Sequence, residues 1–266
     1  MKTLRNSVFA AIACLAAQLS GASVVQADTL SDIVDRGTVK VAVQTQGPPY
    51  SFVDKNGERT GMAVELVRMM AEDMGVTVEF SDYEWKGLIP ALLSKKVDFI
   101  AADMSPTPQR ALQLLFTDPF YESDIVAYVR GDSPAKTWQD LDKDGIQIGV
   151  PQASSHVKYS RDNMPKSTVV ELSGGSPAVA QALSVGRVDA GVTARGIAAQ
   201  FTREFEGMRI LDGVIVKGAM SFPVRPDDTH LAAWINNWFR IKKADRTLER
   251  MIDYWVLTDA WEADHK

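Results

Sequence analysis

Sulfur and imidazole are nearly missing from this chain. Its one cysteine, Cys14, lies among the first 27 residues, and the thiol-free remainder can form neither a disulfide nor a cysteine metal cluster. The three histidines, His156, His230 and His265, are too scattered for metal-ligand spacing. No metal or cofactor is therefore expected. No run beyond residue 27 approaches the ~20 apolar residues that span a bilayer. Positive charge is also scarce. Lys2 and Arg5 are the only charges before Asp28, which leaves 27 basic against 34 acidic residues and a net charge of −7. An acidic surface argues against a general nucleic-acid binder.

The first residues form a recognisable unit. Two basic residues precede an apolar run from Val8 to Ala17, and the small-residue pattern Val25-Gln26-Ala27 follows. This reads as a secretory signal peptide over 1–27, cleaved after Ala27, and implies a periplasmic protein. The "AIAC" stretch ending at Cys14 is a weak lipoprotein box, placed mid-way through the hydrophobic run with a better cut site after it. Without disulfides, stability must come from core burial, which this length can supply.

From Thr38 onward short β-rich runs alternate with helical patterns. "TVKVAV", "VTVEF" and "VDFIAA" read as strands. "AVELVRMMAEDMG" reads as a helix stopped by Gly75, and "WKGLIPALLSKK" as a helix that tolerates Pro90 only in its first turn. "YSFVDKNGERTG" reads as a hairpin turning at Asn56-Gly57. The alternation restarts with "GIQIGV", "SSHVKYSRDNM", "TVVEL", "SPAVAQALSVG", "VDAGV" and "ARGIAAQFTREF", which predicts parallel α/β sheets. Two successive blocks of similar length predict two lobes. "KKVDFIAA" and "GRVDAGV" are a weak internal echo. The crossings "YESDIVAYV" and "GAMSFPV" are extended and would serve as a hinge. The expected division is 28–123 with 218–266 as the first lobe and 124–217 as the second.

The stretch "DMSPTPQRALQLLFTDPFY" places Arg110 just after a helix start, with Thr107 as N-cap and Pro108 at the first helical position. Backbone N–H groups at a helix start favour an anion, and a guanidinium can grip a carboxylate with two prongs. An ordinary surface arginine is the plainer reading. "GGSPA" falls short of a nucleophile elbow, lacking the last glycine and any placed triad histidine. The aromatic residues Trp234, Trp238, Tyr254, Trp255 and Trp261 fit the apolar faces of closing helices better than a sugar or membrane platform.

Taken together, "LIPALLSKKVD", "DMSPTPQR", "FTDPFY", "IVDRGTVKVAVQTQGPPYSF", "NGERTGMAVEL", "WQDLDKDGIQIGVPQASS" and "ALSVGRVDAGV" resemble the family 3 extracytoplasmic solute-binding proteins of ABC importers for polar amino acids. They occur in family order over essentially all of Thr29 to Val256. The resemblance implies a two-lobed type II periplasmic-binding-protein fold, two α/β lobes joined by a two-strand hinge. It also implies a ligand site in which Arg110 takes an α-carboxylate with help from Ser105. Ser154 would offer an N–H and a hydroxyl from the second lobe, and Trp85 would form a wall. Gln44, Ala102 and Thr193 complete the implied set, with an inner-membrane ABC permease as partner and a monomer as the expected state.

Two departures concern the ligand. The family's ammonium-binding aspartate falls here on Ala194, between Thr193 and Arg195, and its stacking aromatic falls on Gly47, which should leave the wall open. Asp103 instead stands beside the carboxylate site. Either Asp103 takes over the ammonium, or the ligand has no α-ammonium and Asp103 meets another donor. Arg195 could meet a second ligand anion or simply face solvent. Two other functions remain in view. Cyclohexadienyl dehydratases share the fold and an "RMxxxW" pattern matched by "ERMIDYW", but their catalytic glutamate falls on Val157, after His156, and valine transfers no proton. A sensing module for a membrane receptor is the other alternative.

Overall fold

The computed structural model describes residues 28–266 except Thr45, with nothing said of the Gln46 side chain. The expected signal peptide and Cys14 lie outside the described residues. The chain opens with α1 (Thr29–Arg36), β1 (Thr38–Val43), a small antiparallel sheet of β2 (Gln46–Gly47), β3 (Ser51–Val53) and β4 (Arg59–Thr60), and then α2 (Met62–Met74). Asp28 caps α1 by accepting from the Leu30 and Ser31 N–H groups, and Gly75 ends α2 in the left-handed conformation. Next come β5 (Thr77–Asp82), α3 (Trp85–Leu93), β6 (Phe99–Ala101), the single turn α4 (Pro108–Ala111) and β7 (Leu115–Phe116).

The long strand β8 (Tyr121–Arg130) carries the chain out of this first lobe. The second lobe holds β9 (Gln147–Pro151), α5 (Ser155–Asn163), β10 (Thr168–Leu172), α6 (Gly175–Ser184), β11 (Ala190–Ala194), α7 (Arg195–Glu204) and β12 (Met208–Ile210). The chain returns through β13 (Val216–Met220) and β14 (Pro223–Val224). It closes with α8 (Thr229–Ala244), α9 (Thr247–Ile252), a wide turn over Asp253–Leu257 and α10 (Ala260–His265).

The first sheet has the order β5-β1-β6-β14-β7 and the second β10-β9-β11-β8-β12, with β13 also on β8. The expected parallel pairing holds for β1 with β5 and β6, and for β9 with β10 and β11. The sheets are nevertheless mixed. β14 runs antiparallel to β6, and β8 runs antiparallel to β11, because each arrives from the opposite lobe. β8 and β13 pair antiparallel from Tyr121↔Met220 to Ile125↔Val216 and form the two-strand crossing.

Both faces of the first sheet are buried, which explains the continuous apolar strands. Val39, Val41 and Val43 point to the side packed by α2 and α8, while Ala42 and Ile100 meet Leu88 and Leu92 of α3. In the second sheet Gly191 lies directly under the Tyr128 ring, where a Cβ would come within 2.3 Å of a ring carbon. Pro90 corrects an expectation: it is the sixth residue of α3, not in its first turn. Pro90 is exposed, and it cannot donate to the Lys86 carbonyl four residues back.

The closing aromatics are core. Trp238, Trp255 and Trp261 are buried, and each polar indole that turns inward has found a partner: Trp238 donates to Asp73 (2.7 Å) and Trp255 to Glu65 (3.0 Å). Helix α10 was not expected. It packs Trp261 and His265 onto Phe52 and Trp255, and its Glu262 reaches Arg203 of the second lobe (3.0 Å). Replacing Trp255 should show both contributions in urea unfolding. Trp255→Phe, which strands Glu65 but keeps most of the ring, should lose about 1–3 kcal/mol. Trp255→Ala, which also opens a cavity, should lose about 3–5 kcal/mol. Equal losses would mean that the indole N–H bond contributes nothing.

Candidate functional site

The C-terminal ends of β6 and β9 face each other across the cleft between the lobes. Beyond β6 the chain turns through Ala102, Asp103 and Ser105 into α4. The Thr107 Oγ1 accepts the Arg110 N–H (3.2 Å), so the capped turn expected from the sequence is present. A four-residue helix has only a weak dipole, and the turn's main effect is to fix where Arg110 starts. The guanidinium folds back to donate from Nη1 to the Ser105 carbonyl (2.8 Å). It reaches forward to donate from Nη2 to the Ala153 carbonyl (3.1 Å) in the second lobe. The same carbonyl accepts the Trp85 Nε1–H (3.3 Å), and the guanidinium carbon lies 5.6 Å from the centre of the Trp85 ring, within cation–π range.

Ala153 can present this carbonyl because its φ of +60° turns the chain sharply after β9. That conformation costs a residue with a Cβ about 1–2 kcal/mol. Ser154 stands at the N-cap position of α5 without a side-chain capping bond, and its N–H donates to the Pro151 carbonyl (3.2 Å). Its hydroxyl is buried without a hydrogen-bond partner.

Asp103, Trp85, Gln44, Ser154 and His156 line one narrow cavity of about 20 Å³, room for little more than one water-sized group. Burial pushes the Asp103 carboxyl up to about 6, partly offset by its own N–H and by the charge of Arg110. Asp103 and Arg110 form no salt bridge among the described residues. Burial and then the Arg110 charge push His156 down to about 4, so it is neutral at neutral pH, and its Nδ1 has no partner. Burial lowers Arg110 as well, though a guanidinium stays protonated.

The remaining expected residues fall in different places. Ala102 is buried behind the turn, and Thr193 is buried in β11 with its hydroxyl 3.3 Å from that of Ser176; neither lines the cavity. Ala194 is buried and offers no polar side chain. Arg195 pairs with Asp124 (3.3 Å), which accounts for its charge without a ligand. Gly47, expected to leave the wall open, stands beside Gln44. Gly47 lines the cavity, with the Gln44 Oε1 3.4 Å from where a Cβ on it would stand, an ordinary contact distance. Sequence reasoning missed Ala153, whose part is played by its carbonyl and so has no side-chain signal. It also weighed His156 only as the neighbour of Val157.

The chain was compared with known proteins. The sequence family described as bacterial extracellular solute-binding proteins, family 3, matches residues 39–258. Two Escherichia coli (strain K12) proteins are similar over most of the chain. ABC transporter arginine-binding protein 1 is 27% identical, covering 82% of this chain and 90% of that protein. L-cystine-binding protein TcyJ is 25% identical, covering 92% of each. Among solved structures, the ancestral amino acid-binding protein AncCDT-1, a precursor of cyclohexadienyl dehydratase, is 30% identical with a TM-score of 0.80. It covers 86% of this chain and 99% of that one. The P235GK mutant of ArgBP from T. maritima is 29% identical with a TM-score of 0.78 over the same shares. The mixed sheets, the two-strand crossing and a match spanning most of the chain agree, and the chain belongs to the bacterial extracellular solute-binding proteins, family 3.

Proposed function

We propose that the protein captures an α-amino acid between its lobes in the periplasm, acts as a monomer, and hands its ligand to an inner-membrane ABC permease without chemical change. The lobes divide within the two crossing strands, at residues 123/124 and 217/218. The observation that carries this reading is the Arg110 guanidinium, held by one lobe and bonded to the other at the ends of two sheet strands. Open α/β sheets bind ligands at the carboxyl ends of their strands. A ligand carboxylate takes the place of the Ala153 carbonyl on Arg110, because a charged acceptor binds a guanidinium more strongly than a neutral one. Closure then follows from the ligand touching both lobes.

Asp103 takes the α-ammonium. Ala194 supplies nothing to it, and Asp103 is the acid in the same cavity, near enough to feel Arg110 without pairing with it. His156 adds a neutral imidazole from the other lobe. The dehydratase alternative is disfavoured, since Val157 has no proton to give and His156 is held neutral by burial.

Three outcomes test this reading. Arg110→Ala should abolish amino-acid binding in calorimetry with the melting temperature little changed, a loss of about 3–5 kcal/mol. Affinity within threefold of wild type would remove Arg110 from the site.

Asp103→Asn should weaken an α-amino acid far more than the matching 2-oxo acid. The wild type should likewise lose α-amino-acid affinity as pH falls through about 6, by up to tenfold per unit. Folding stability is a poor readout of the same group. Asp103, raised, favours the folded state below about 4 and loses that contribution as pH rises through 6, whereas lowered His156 opposes it between 6.5 and 4. Equal weakening of both ligands by Asp103→Asn would leave Asp103 only a turn-former.

Finally, prephenate and arogenate should remain unchanged by the purified protein when phenylpyruvate and phenylalanine are followed. Turnover that disappears in Arg110→Ala would make the protein a dehydratase.

A further inference from the structure

A second cavity of about 140 Å³ adjoins the head-group cavity and shares Gln44 and Trp85 with it. A group held at Arg110 and Asp103 would have its far end directed there. Tyr83, Glu84 and Lys86 line it from the first lobe, and Leu172, Gly174 and Gly175 from the second. We propose that this cavity receives an uncharged hydrogen-bonding group, a carboxamide or ureido group, at the end of the ligand's side chain. The proposal rests on the amino-acid reading above and names the class of amino acid.

Three observations carry it. The first is Gln44. It is 9% exposed, and its side-chain amide makes no hydrogen bond to another described residue, so it is free to meet a group in the cavity. Its Nε2 lies 2.9 Å from where a Cβ on Gly175 would stand, so the amide points at the place where the second lobe closes the cavity. The second is the start of α6, a ten-residue helix with no side-chain cap. Gly174 and Gly175 both take left-handed backbone angles, and the N–H groups of the first helical turn have no carbonyl of their own helix to meet. Gly174 and Gly175 line the cavity beside the Gln44 amide, which offers both a donor and an acceptor.

The third observation is the charge balance. Glu84 and Lys86 are the ionisable side chains that line this cavity besides Tyr83. Both are exposed, and they pair with each other at 3.7 Å. Neither a ligand guanidinium nor a ligand carboxylate would find a buried counter-ion there, and burying a charge without one is costly. A carboxamide asks for no counter-ion. Its oxygen can accept from the helix start and Gln44, and its NH₂ can donate to the Gln44 oxygen.

Calorimetric titration of the purified protein with glutamine, citrulline, glutamate, arginine and norleucine tests the proposal. Glutamine or citrulline should bind at least about tenfold more tightly than each of the other three, a gap of about 1.4 kcal/mol. Gln44→Met keeps the length and removes the amide. It should weaken the preferred amide ligand about tenfold while leaving norleucine equal or tighter. Gln44→Glu, the second variant should the first fail to fold, should move the preference toward arginine.

Arginine or glutamate binding more tightly than both neutral probes would overturn the proposal while leaving the Arg110 reading intact. So would equal weakening of norleucine by Gln44→Met, or no shift toward arginine in Gln44→Glu. If Arg110→Ala bound every probe like wild type, the head-group reading would fall first. If none of the probes bound the wild type, both would fall.

Discussion

A guanidinium bonded to two carbonyls on opposite lobes is the contact around which the cleft is organised. Arg110 is partly shielded from water by Trp85 and the cleft walls, and a half-buried cation is stabilised by acceptors. The Ser105 carbonyl is its fixed acceptor. The Ala153 carbonyl, its second acceptor, belongs to the other lobe. Closing the cleft and satisfying Arg110 are therefore one event. The two mixed sheets exist, in functional terms, to bring those two carbonyls to the same place from strand ends more than forty residues apart in sequence.

The surroundings of that contact are poised and not fully relaxed. Ala153 holds a left-handed backbone angle that a β-carbon disfavours. The Ser154 hydroxyl and the His156 Nδ1 are buried without partners, and Asp103 is held neutral more readily than a surface carboxyl. Functional sites commonly carry such unfavourable groups and are kept by the surrounding core. Here the core is ample: both faces of the first sheet are packed, and the three buried tryptophans of the closing helices anchor α2 and the hairpin to the C-terminal segment. The crossing strands β8 and β13 are paired over five residues and join the two lobes.

Much of this was legible in the sequence. Gly75, Thr107, Pro108 and the Asn56-Gly57 turn act where their backbone chemistry says they should. The buried strands of each sheet stood out because burial on both faces makes a strand uniformly apolar. What failed to show had physical reasons. The antiparallel strands β8 and β14 pair with partners far along the chain, and local pattern carries no information on direction. Pro90 sits mid-helix at an exposed position, where the helix's own neighbours decide its place and local pattern does not. In the cleft, Arg110, Asp103 and Trp85 were readable as side chains in a motif. Ala153 was not, since its contribution is a carbonyl. The Gln44 Oε1 standing beside Gly47 depends on a rotamer that no spacing encodes.

The most direct measurement is a crystal structure of the protein with its bound amino acid. The ligand's α-carboxylate should sit on the Arg110 guanidinium within about 3 Å. It should occupy the position now held by the Ala153 carbonyl, with the α-ammonium beside Asp103 and the Ser105 carbonyl still on Nη1. A carboxylate bound elsewhere, with Arg110 still donating to Ala153, would contradict the central claim that one cation couples ligand capture to closure.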